Sequence, residues 1–284
     1  MIVEHHTYNT ILGKLHYHSY AYLNPASNRR LLLLHGSRLG GLDTWNNILG
    51  KLDSYWSHVL VPDLPGVGKL NPQNLGAYDF TLSDILDVII QLVEQHDWEN
   101  FDIASYSFGG VISAFLSSKI PTKINRQLLI EPSMLNASHT YYHIIANKLQ
   151  KIAEMISVDP QKGNAAFSRL ITLQQRRFAL QANTRPIENP LGFANILQIL
   201  AKIYRDGKII NLLQSQPKTT LIATEYMRNE AKIMVNYISN NLKWKVYFIP
   251  NADHSVIFSQ TEIITTLLKK WSSQILPEKD DIYG

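Results

Sequence analysis

The chain has 284 residues, of which 45% are apolar and 18% charged, and this composition excludes a disordered or low-complexity protein. It contains no cysteine, which excludes disulfides, a thiolate nucleophile and cysteine-ligated zinc. No segment approaches the roughly 18 consecutive apolar residues of a membrane span, and the N-terminus lacks the layout of a signal peptide. We therefore expect no membrane span and a cytoplasmic location.

The net charge of +4 is unevenly distributed along the chain. Residues 136–216 carry ten Lys and Arg against four Asp and Glu, which gives this segment +6 and leaves −2 for the rest. Such a charge break suggests a separate module that faces an anionic partner. The alternative is a solvated helical surface that happens to be basic.

Short apolar runs and helical patterns alternate along most of the chain. The first 23 residues alternate in character and predict a pair of strands. Six later apolar runs predict strands buried on both faces, at residues 31–34, 58–61, 101–104, 127–130, 221–223 and 246–249. A capping-box-like start at Thr81-Leu-Ser-Asp84 predicts one of the intervening helices. Alternating strands and helices indicate an α/β fold.

The alternation breaks between residues 136 and 216, where only amphipathic helices are predicted. Apolar residues recur there at helical spacing, and proline and glycine separate the helices. We therefore divide the chain into a core of residues 1–135 and 217–284 and a helical cap of residues 136–216. The apolar faces are expected to pack the cap, and one of them can also line a pocket.

The most informative segment runs from Phe101 to Gly110 and reads Phe-Asp-Ile-Ala-Ser-Tyr-Ser-Phe-Gly-Gly. A predicted strand leads through Ser-x-Ser-x-Gly-Gly directly into a predicted helix. This order indicates a sharp turn that raises the Ser107 hydroxyl above the sheet edge, with small neighbours where strand and helix pass closely. Ser105 stands where glycine is usual. By itself, the pattern also fits an ordinary turn rich in small residues.

Two other strand ends supply partners for Ser107. A buried strand ends in His35-Gly36-Ser37, so the backbone N–H groups of Ser37 and Phe108 are candidates for an oxyanion hole. His254 follows the last predicted strand. Serine after a central strand and histidine after the final strand is the chain order of a hydrolase triad.

Together these segments resemble the alpha/beta-hydrolase fold family over nearly the whole chain. The resemblance implies a mostly parallel eight-stranded sheet flanked by helices, with the all-helical cap inserted after strand six. Over short segments the chain is also similar to the acyltransferases that build the 3-hydroxyacyl dimer of rhamnolipids from acyl carrier protein thioesters. The resemblance implies no cofactor.

The chain departs from the family pattern at the triad acid. The usual position, after strand seven, holds Met227 or, with a one-residue shift, Tyr226. Glu131, at the end of strand six, is the preferred acid, because some alpha/beta hydrolases place their acid there. Glu225 is the alternative acid if its loop is remodelled. A third possibility is that the acid is lost.

We therefore expect a serine-dependent acyl hydrolase or acyltransferase that acts on an ester or thioester with an apolar acyl chain. Its partners would be a small acyl substrate and, through the basic cap, an acidic acyl carrier protein. The alternative is a non-hydrolytic member of the fold, either a binding protein or a lyase or cyclase, with a degraded triad.

Other functional classes find little support in the sequence. Gly66-Val-Gly68-Lys69 lacks the spacing of a phosphate loop, and no dinucleotide motif follows a strand. The histidines near the N-terminus (His5, His6, His16 and His18) lack a third ligand placed by spacing, so no metal is expected. The basic cap lacks regularly interleaved aromatic residues, which argues against nucleic acid.

Overall fold

The computed structural model describes residues 1–52, 55–68, 80–135, 142–174, 189–207 and 209–273. Eight strands form one sheet in the order β1-β2-β4-β3-β5-β6-β7-β8. The strands are β1 Ile2–Thr10, β2 Gly13–Ala21, β3 Arg29–Leu34, β4 Trp56–Pro62, β5 Phe101–Tyr106, β6 Ile124–Ile130, β7 Thr219–Thr224 and β8 Lys245–Ile249. The pairs β1–β2 and β2–β4 are antiparallel, and the strands from β4 to β8 pair in parallel. This sheet confirms the predicted fold class.

Helices follow most of the strands and cover both faces of the sheet. In the core they are α1 Gly41–Leu49, α2 Leu82–Gln95, α3 Phe108–Lys119, α8 Glu225–Glu230, α9 Lys232–Asn241, α10 Val256–Ser259 and α11 Thr261–Ser272. The predicted capping box at the start of α2 is present, with both Thr81 and Asp84 bonding to backbone N–H groups. Within the described ranges, none of the helices combines the length and the hydropathy that a membrane span requires.

Between β6 and β7 every described element is a helix or a helical turn. A single 3₁₀ turn, Ser133–Leu135, precedes four helices: α4 Tyr142–Val158, α5 Pro160–Gln174, α6 Pro190–Asp206 and α7 Ile209–Gln214. The division at residues 136 and 216 stays a prediction. Residues 136–141, 175–188 and 208 of the predicted cap, and four of its basic side chains (Arg176, Arg177, Arg185 and Lys208), lie outside the described residues.

Helix α6 lies close against the loop that follows β4. A Cβ atom at Gly192 would lie 2.1 Å from the Gly66 carbonyl oxygen, so the two backbones approach as only glycine allows. Asn195 donates from Nδ2 to the Phe80 carbonyl oxygen at 2.7 Å. These contacts hold α6 on the core, next to the edge of the sheet where the parallel strands end.

The carboxyl ends of the parallel strands meet at one edge of the sheet. Residues that follow β3, β5, β6, β7 and β8 are distant in sequence, yet they share this edge because neighbouring parallel strands lie only about 4.8 Å apart. Ligand sites of open α/β sheets form at this edge. The sequence-predicted site residues all follow these strands.

A buried cluster of charged side chains lies at the other edge of the sheet, where the parallel strands begin. Asp102 is fully buried, and its Oδ2 accepts from Arg29 at 2.6 Å, from Arg126 at 3.1 Å and from the Trp56 indole at 2.9 Å. The Arg126 guanidinium lies 4.4 Å from the centre of the Trp271 ring and donates to backbone carbonyls at the end of α11. The cluster therefore fixes the last helix to the sheet.

Replacing Asp102 with alanine should destabilise the fold strongly, because two guanidinium groups lose their buried counter-charge. We expect a loss of about 3–5 kcal/mol in the free energy of unfolding, measured by urea denaturation. Asp87→Ala is the matched control, because Asp87 pairs with Lys119 at the surface and such pairs contribute less than about 1 kcal/mol. Equal losses in the two variants would contradict the argument.

Candidate active site

Ser107 lies on a strained turn between β5 and α3. Its φ of 54° and ψ of −116° are sparsely populated by residues other than glycine. The turn is held by hydrogen bonds from the Ser107 N–H to the Ile130 carbonyl at 3.0 Å and from the Gly110 N–H to the Ser107 carbonyl at 3.0 Å. A Cβ atom at Gly109 would lie 2.5 Å from the Leu34 carbonyl oxygen. Small residues are therefore needed after Ser107 because the start of α3 passes close to the backbone at the end of β3.

The Ser107 hydroxyl lies within hydrogen-bond distance of the histidine that follows β8. Ser107 Oγ is 2.9 Å from His254 Nε2, and His254 Nδ1 is 3.4 Å from Glu131 Oε2. Ser107 is 6% exposed and Glu131 is fully buried, whereas His254 is half-buried. A carboxylate can only accept, so the Nδ1 proton points to Glu131 and leaves Nε2 free to accept from Ser107.

Glu131 occupies a second strained backbone position, with a φ of 48° directly after β6. Its N–H donates to the Ile222 carbonyl at 3.1 Å, and its Oε1 accepts from the Thr224 N–H at 2.7 Å. One carboxylate oxygen is thus fixed to the end of β7, while the other faces His254. The hydrogen bond from the Thr224 N–H orients the carboxylate and offsets part of the free-energy cost of burying it.

The other carboxylates near His254 have different partners. Glu225 begins α8, and its Oε2 accepts from the Asn251 N–H at 2.9 Å. Asp253 precedes His254, but its Oδ1 accepts from the N–H of Ser255 at 2.8 Å. Met227, at the position where the family pattern would have an acid, is fully buried in α8. The structure thus brings Glu131 to His254 and Glu225 to the β8 loop.

The two candidate oxyanion donors flank Ser107 from different elements. Phe108 is the first residue of α3, so its N–H has no partner within the helix. On the other side, a Cβ atom at Gly36 would lie 3.2 Å from Ser107 Cβ, which places the Gly36–Ser37 backbone against the serine. Both N–H groups belong to backbone next to the Ser107 side chain.

His35 controls the direction of the Ser37 N–H. Its Nδ1 donates to the Gly36 carbonyl at 2.6 Å, and its Nε2 accepts from the Leu64 N–H at 2.7 Å. In a trans peptide the C=O and the following N–H point in opposite directions. Because the Gly36 carbonyl faces the His35 ring, the Ser37 N–H faces away from it. Burial lowers the pKa of His35, which favours the neutral ring that this pair of bonds requires.

Three side chains near Ser107 are not evident from the sequence patterns. Tyr106 donates from its hydroxyl to the His254 carbonyl at 2.6 Å, and burial raises the pKa of this phenol, so it stays protonated. His35 acts through the peptide described above. Ser133 Oγ lies 3.0 Å from Ser107 Oγ. In the sequence, only their position points to them, because each lies within two residues of a predicted site residue.

Of the four histidines in the N-terminal hairpin, His6 bonds to Ser19, and His5 contacts both His16 and His18. His5 Nε2 is 3.4 Å from His16 Nδ1, and the rings of His5 and His18 are 4.9 Å apart. In the described part of the chain, no group of three or more His, Asp or Glu side chains is arranged to hold a metal ion. Lys69, of the segment compared above with a phosphate loop, lies outside the described residues.

Comparisons with known proteins agree on the fold. A family model described as alpha/beta hydrolase fold matches residues 29–176. A protein of Drosophila melanogaster described as a probable serine hydrolase is 24% identical over 107 residues, which are 36% of this chain and 30% of that protein. The chain therefore aligns with about a third of this curated relative.

Two solved structures are similar over almost their whole length. A thermophilic esterase from Thermogutta terrifontis superposes with a TM-score of 0.71 at 16% identity, covering 96% of this chain and 99% of the esterase. MenH from S. aureus superposes with a TM-score of 0.68 at 19% identity, covering 92% of this chain and 99% of MenH. At these identities the similarity concerns the fold.

The neutral state of His35 predicts a pH dependence of stability. The pKa of His35 is 6.5 in an unfolded chain and lower in the folded protein, so below pH 6.5 the unfolded chain binds a proton that the folded chain does not. The free energy of unfolding should therefore fall as the pH is lowered from 6.5 towards the folded pKa, by up to about 1.4 kcal/mol per pH unit.

Urea denaturation between pH 7.5 and 5 checks this prediction in wild type and in His35→Asn, which removes the titration. The wild-type curve should be the steeper of the two. His96→Asn is the comparison: burial also lowers the pKa of His96, so this variant should flatten the curve too, but by less, because His96 is half-buried and His35 is fully buried. Identical slopes for wild type and His35→Asn would show that His35 does not titrate as described.

Proposed function

The chain belongs to the alpha/beta hydrolase fold family, and from that premise we propose that it is a serine-dependent acyl hydrolase or acyltransferase acting on an ester or thioester. The observation that carries the proposal is the 2.9 Å contact between Ser107 Oγ and His254 Nε2, with the buried Glu131 carboxylate behind the imidazole. A hydroxyl, a base and an orienting acid in this order make an activated nucleophile.

In the first half of the proposed reaction, Ser107 Oγ attacks the carbonyl carbon while its proton passes to His254 Nε2. The bond from carbon to the leaving oxygen or sulfur then breaks, and the leaving group takes the proton from Nε2. Glu131 stabilises the imidazolium that forms between these two proton transfers. The products are an acyl-enzyme ester on Ser107 and a free alcohol or thiol.

In the second half, water or a substrate hydroxyl attacks the acyl-enzyme and gives its proton to His254. The tetrahedral species collapses, Ser107 leaves, and Oγ recovers a proton from the imidazolium. In both halves the carbonyl oxygen becomes negative, and the N–H groups of Ser37 and Phe108 are the proposed donors to it. Each preorganised donor of this kind lowers the activation barrier by about 2.7–4 kcal/mol.

The proposed acyl group is apolar. Support comes from the apolar face of α6, which is buried and belongs to the same apolar cluster as Phe108, the residue after Ser107. An apolar surface continuous with the nucleophile is where an acyl chain would be buried.

The sequence-based expectation of an acyl carrier protein has weaker support. In the described part of the predicted cap, six basic side chains stand against three acidic ones. These basic residues are Lys148, Lys151, Lys162, Arg169, Lys202 and Arg205. Lys162 already pairs with Asp159. The comparisons add nothing in favour of such a carrier.

An apolar acyl pocket predicts that activity rises with chain length. In a series of p-nitrophenyl esters from two to ten acyl carbons, kcat/KM should rise by up to about fourfold per buried methylene, because each contributes about 0.8 kcal/mol. The control is a p-nitrophenyl ester with a short polar acyl group, which should show no such rise in kcat/KM. A series that falls from two carbons onwards would contradict the apolar acyl group while leaving the serine chemistry intact.

Ser107 should be the residue that reacts with a fluorophosphonate. Mass spectrometry of the intact protein should show one adduct in wild type, and peptide mapping should place it on Ser107. Ser107→Ala should remove both the adduct and ester turnover. Ser105→Ala is the matched control, because Ser105 is buried two residues earlier with its hydroxyl on the Leu128 carbonyl, and it should label normally.

The outcome that contradicts the serine mechanism is a folded wild-type protein that takes no label and turns over no ester. That result would favour the alternative reading of the sequence, a binding protein or a lyase or cyclase with a degraded triad. Far-UV circular dichroism and thermal unfolding establish that each variant is folded before its labelling is compared.

Glu131→Gln separates the two candidate acids. An amide at this position can donate to His254 Nδ1, which stabilises the tautomer whose Nε2 carries a proton and cannot accept from Ser107. We expect kcat to fall by about 10³- to 10⁴-fold, as a wrong histidine tautomer does in serine proteases. Glu225→Gln, whose carboxylate accepts from Asn251 instead, should change kcat by less than about fivefold. The reverse ranking would assign the acid to Glu225.

A further inference from the structure

A second hydroxyl touches the nucleophile. Ser133 Oγ lies 3.0 Å from Ser107 Oγ, which is also 2.9 Å from His254 Nε2. We propose that Ser133 is a further catalytic residue, which donates a hydrogen bond to Ser107 Oγ and stabilises this oxygen as it leaves the acyl-enzyme. The inference rests on the proposed serine mechanism and adds a residue to it.

The direction of this hydrogen bond follows from its neighbours. The Ser107 hydroxyl has one proton, and that proton points to His254 Nε2 when Nδ1–H faces the Glu131 carboxylate. Ser107 Oγ then has only lone pairs to offer on its other side. The proton in the Ser133–Ser107 contact is therefore the Ser133 proton, so Ser133 donates.

The backbone of Ser133 is fixed from two sides. Its N–H donates to the Ser107 carbonyl at 3.1 Å, which ties it to the nucleophile residue itself. Its carbonyl accepts from the Tyr204 hydroxyl on α6. Ser133 also begins the 3₁₀ turn that follows Glu131 and Pro132. The strained strand end that supplies the acid thus also supplies the second hydroxyl, and α6 holds it in place.

The chemistry favours a role in the release of Ser107. In the acyl-enzyme Oγ is an ester oxygen, which is a poor acceptor, so the Ser133 hydrogen bond is weak. When the tetrahedral species collapses, the C–Oγ bond breaks and its electron pair goes to Oγ, which then takes the proton held by His254. The Ser133 proton stays on Ser133, and its hydrogen bond strengthens as charge builds on Oγ. An interaction stronger in the transition state than in the acyl-enzyme accelerates deacylation.

The Ser133 hydroxyl accelerates acylation less than it accelerates deacylation. In the resting enzyme Ser107 Oγ is a hydroxyl oxygen that already accepts from Ser133 at full strength. The ground state and the transition state for attack are therefore both stabilised, and the difference between them is smaller. Loss of the Ser133 hydroxyl should consequently slow deacylation by roughly 10- to 100-fold, the range for one hydrogen bond to a charged oxygen, and acylation by only a few-fold.

Stopped-flow measurement of p-nitrophenolate release from a p-nitrophenyl ester tests this split. Ser133→Ala should give a burst close to one equivalent per enzyme at a rate within a few-fold of wild type, followed by a steady state 10- to 100-fold slower. Ser133→Thr keeps the hydroxyl and should restore most of the steady-state rate. Ser118→Ala, which removes a serine hydroxyl on α3 far along the helix from Ser107, is the control and should behave as wild type.

The outcomes separate this inference from the proposed function. If wild type labels with fluorophosphonate and turns over the ester while Ser133→Ala has unchanged burst and steady-state rates, Ser133 has no catalytic role and the serine mechanism stands. Equal losses in the burst and the steady state would also overturn the inference, because they indicate a general disturbance of the site. If folded wild type neither labels nor turns over ester, the proposed function fails and this inference fails with it.

Discussion

The positive φ of Ser107 is the constraint on which the candidate site depends. Holding a serine at φ 54° costs on the order of 1–3 kcal/mol, and hydrogen bonds from the ends of β6 and from α3 offset this cost. The conformation directs Oγ out of the sheet edge towards His254, and it starts α3 so that the Phe108 N–H lies beside that oxygen. It also requires backbone without a Cβ atom at Gly109, where that atom would lie 2.5 Å from the Leu34 carbonyl oxygen, and it leaves little room for one at Gly36.

A second positive φ, at Glu131, has a comparable effect on the acid. Of the two positions after β7 considered above, Met227 has no carboxylate and is buried, and Glu225 bonds to the β8 loop rather than to His254. Glu131 reaches the imidazole from the neighbouring strand, about one strand spacing away. The end of β7 still takes part, because the Thr224 N–H binds the Glu131 carboxylate and orients it. A carboxylate therefore lies behind His254 although it comes from the end of β6 rather than β7, and the hydrogen bond from the Thr224 N–H holds it there.

The strained ends of β5 and β6 are also connected to α6, a helix of the predicted cap. Ser107 and Ser133 bond through their backbones and lie within hydrogen-bond distance through their hydroxyls. Tyr204 of α6 reaches the same segment, and α6 itself lies against the Gly66 loop through Gly192. The position of α6 is therefore linked, through two hydrogen bonds of Ser133, to the residue proposed as nucleophile.

The sequence by itself determined the α/β fold, because runs of apolar residues buried on both faces leave few alternatives to a parallel sheet. It also predicted Ser107 and His254 as partners, from residue type and from position after particular strands, and the structure brings the two side chains within 2.9 Å of each other. It left the acid open between Glu131 and Glu225, because both lie at strand ends within plausible reach. The roles of His35, Tyr106 and Ser133 came only from the tertiary structure. Each depends on where a backbone carbonyl or hydroxyl from a distant segment points, and local sequence patterns carry no such directional information.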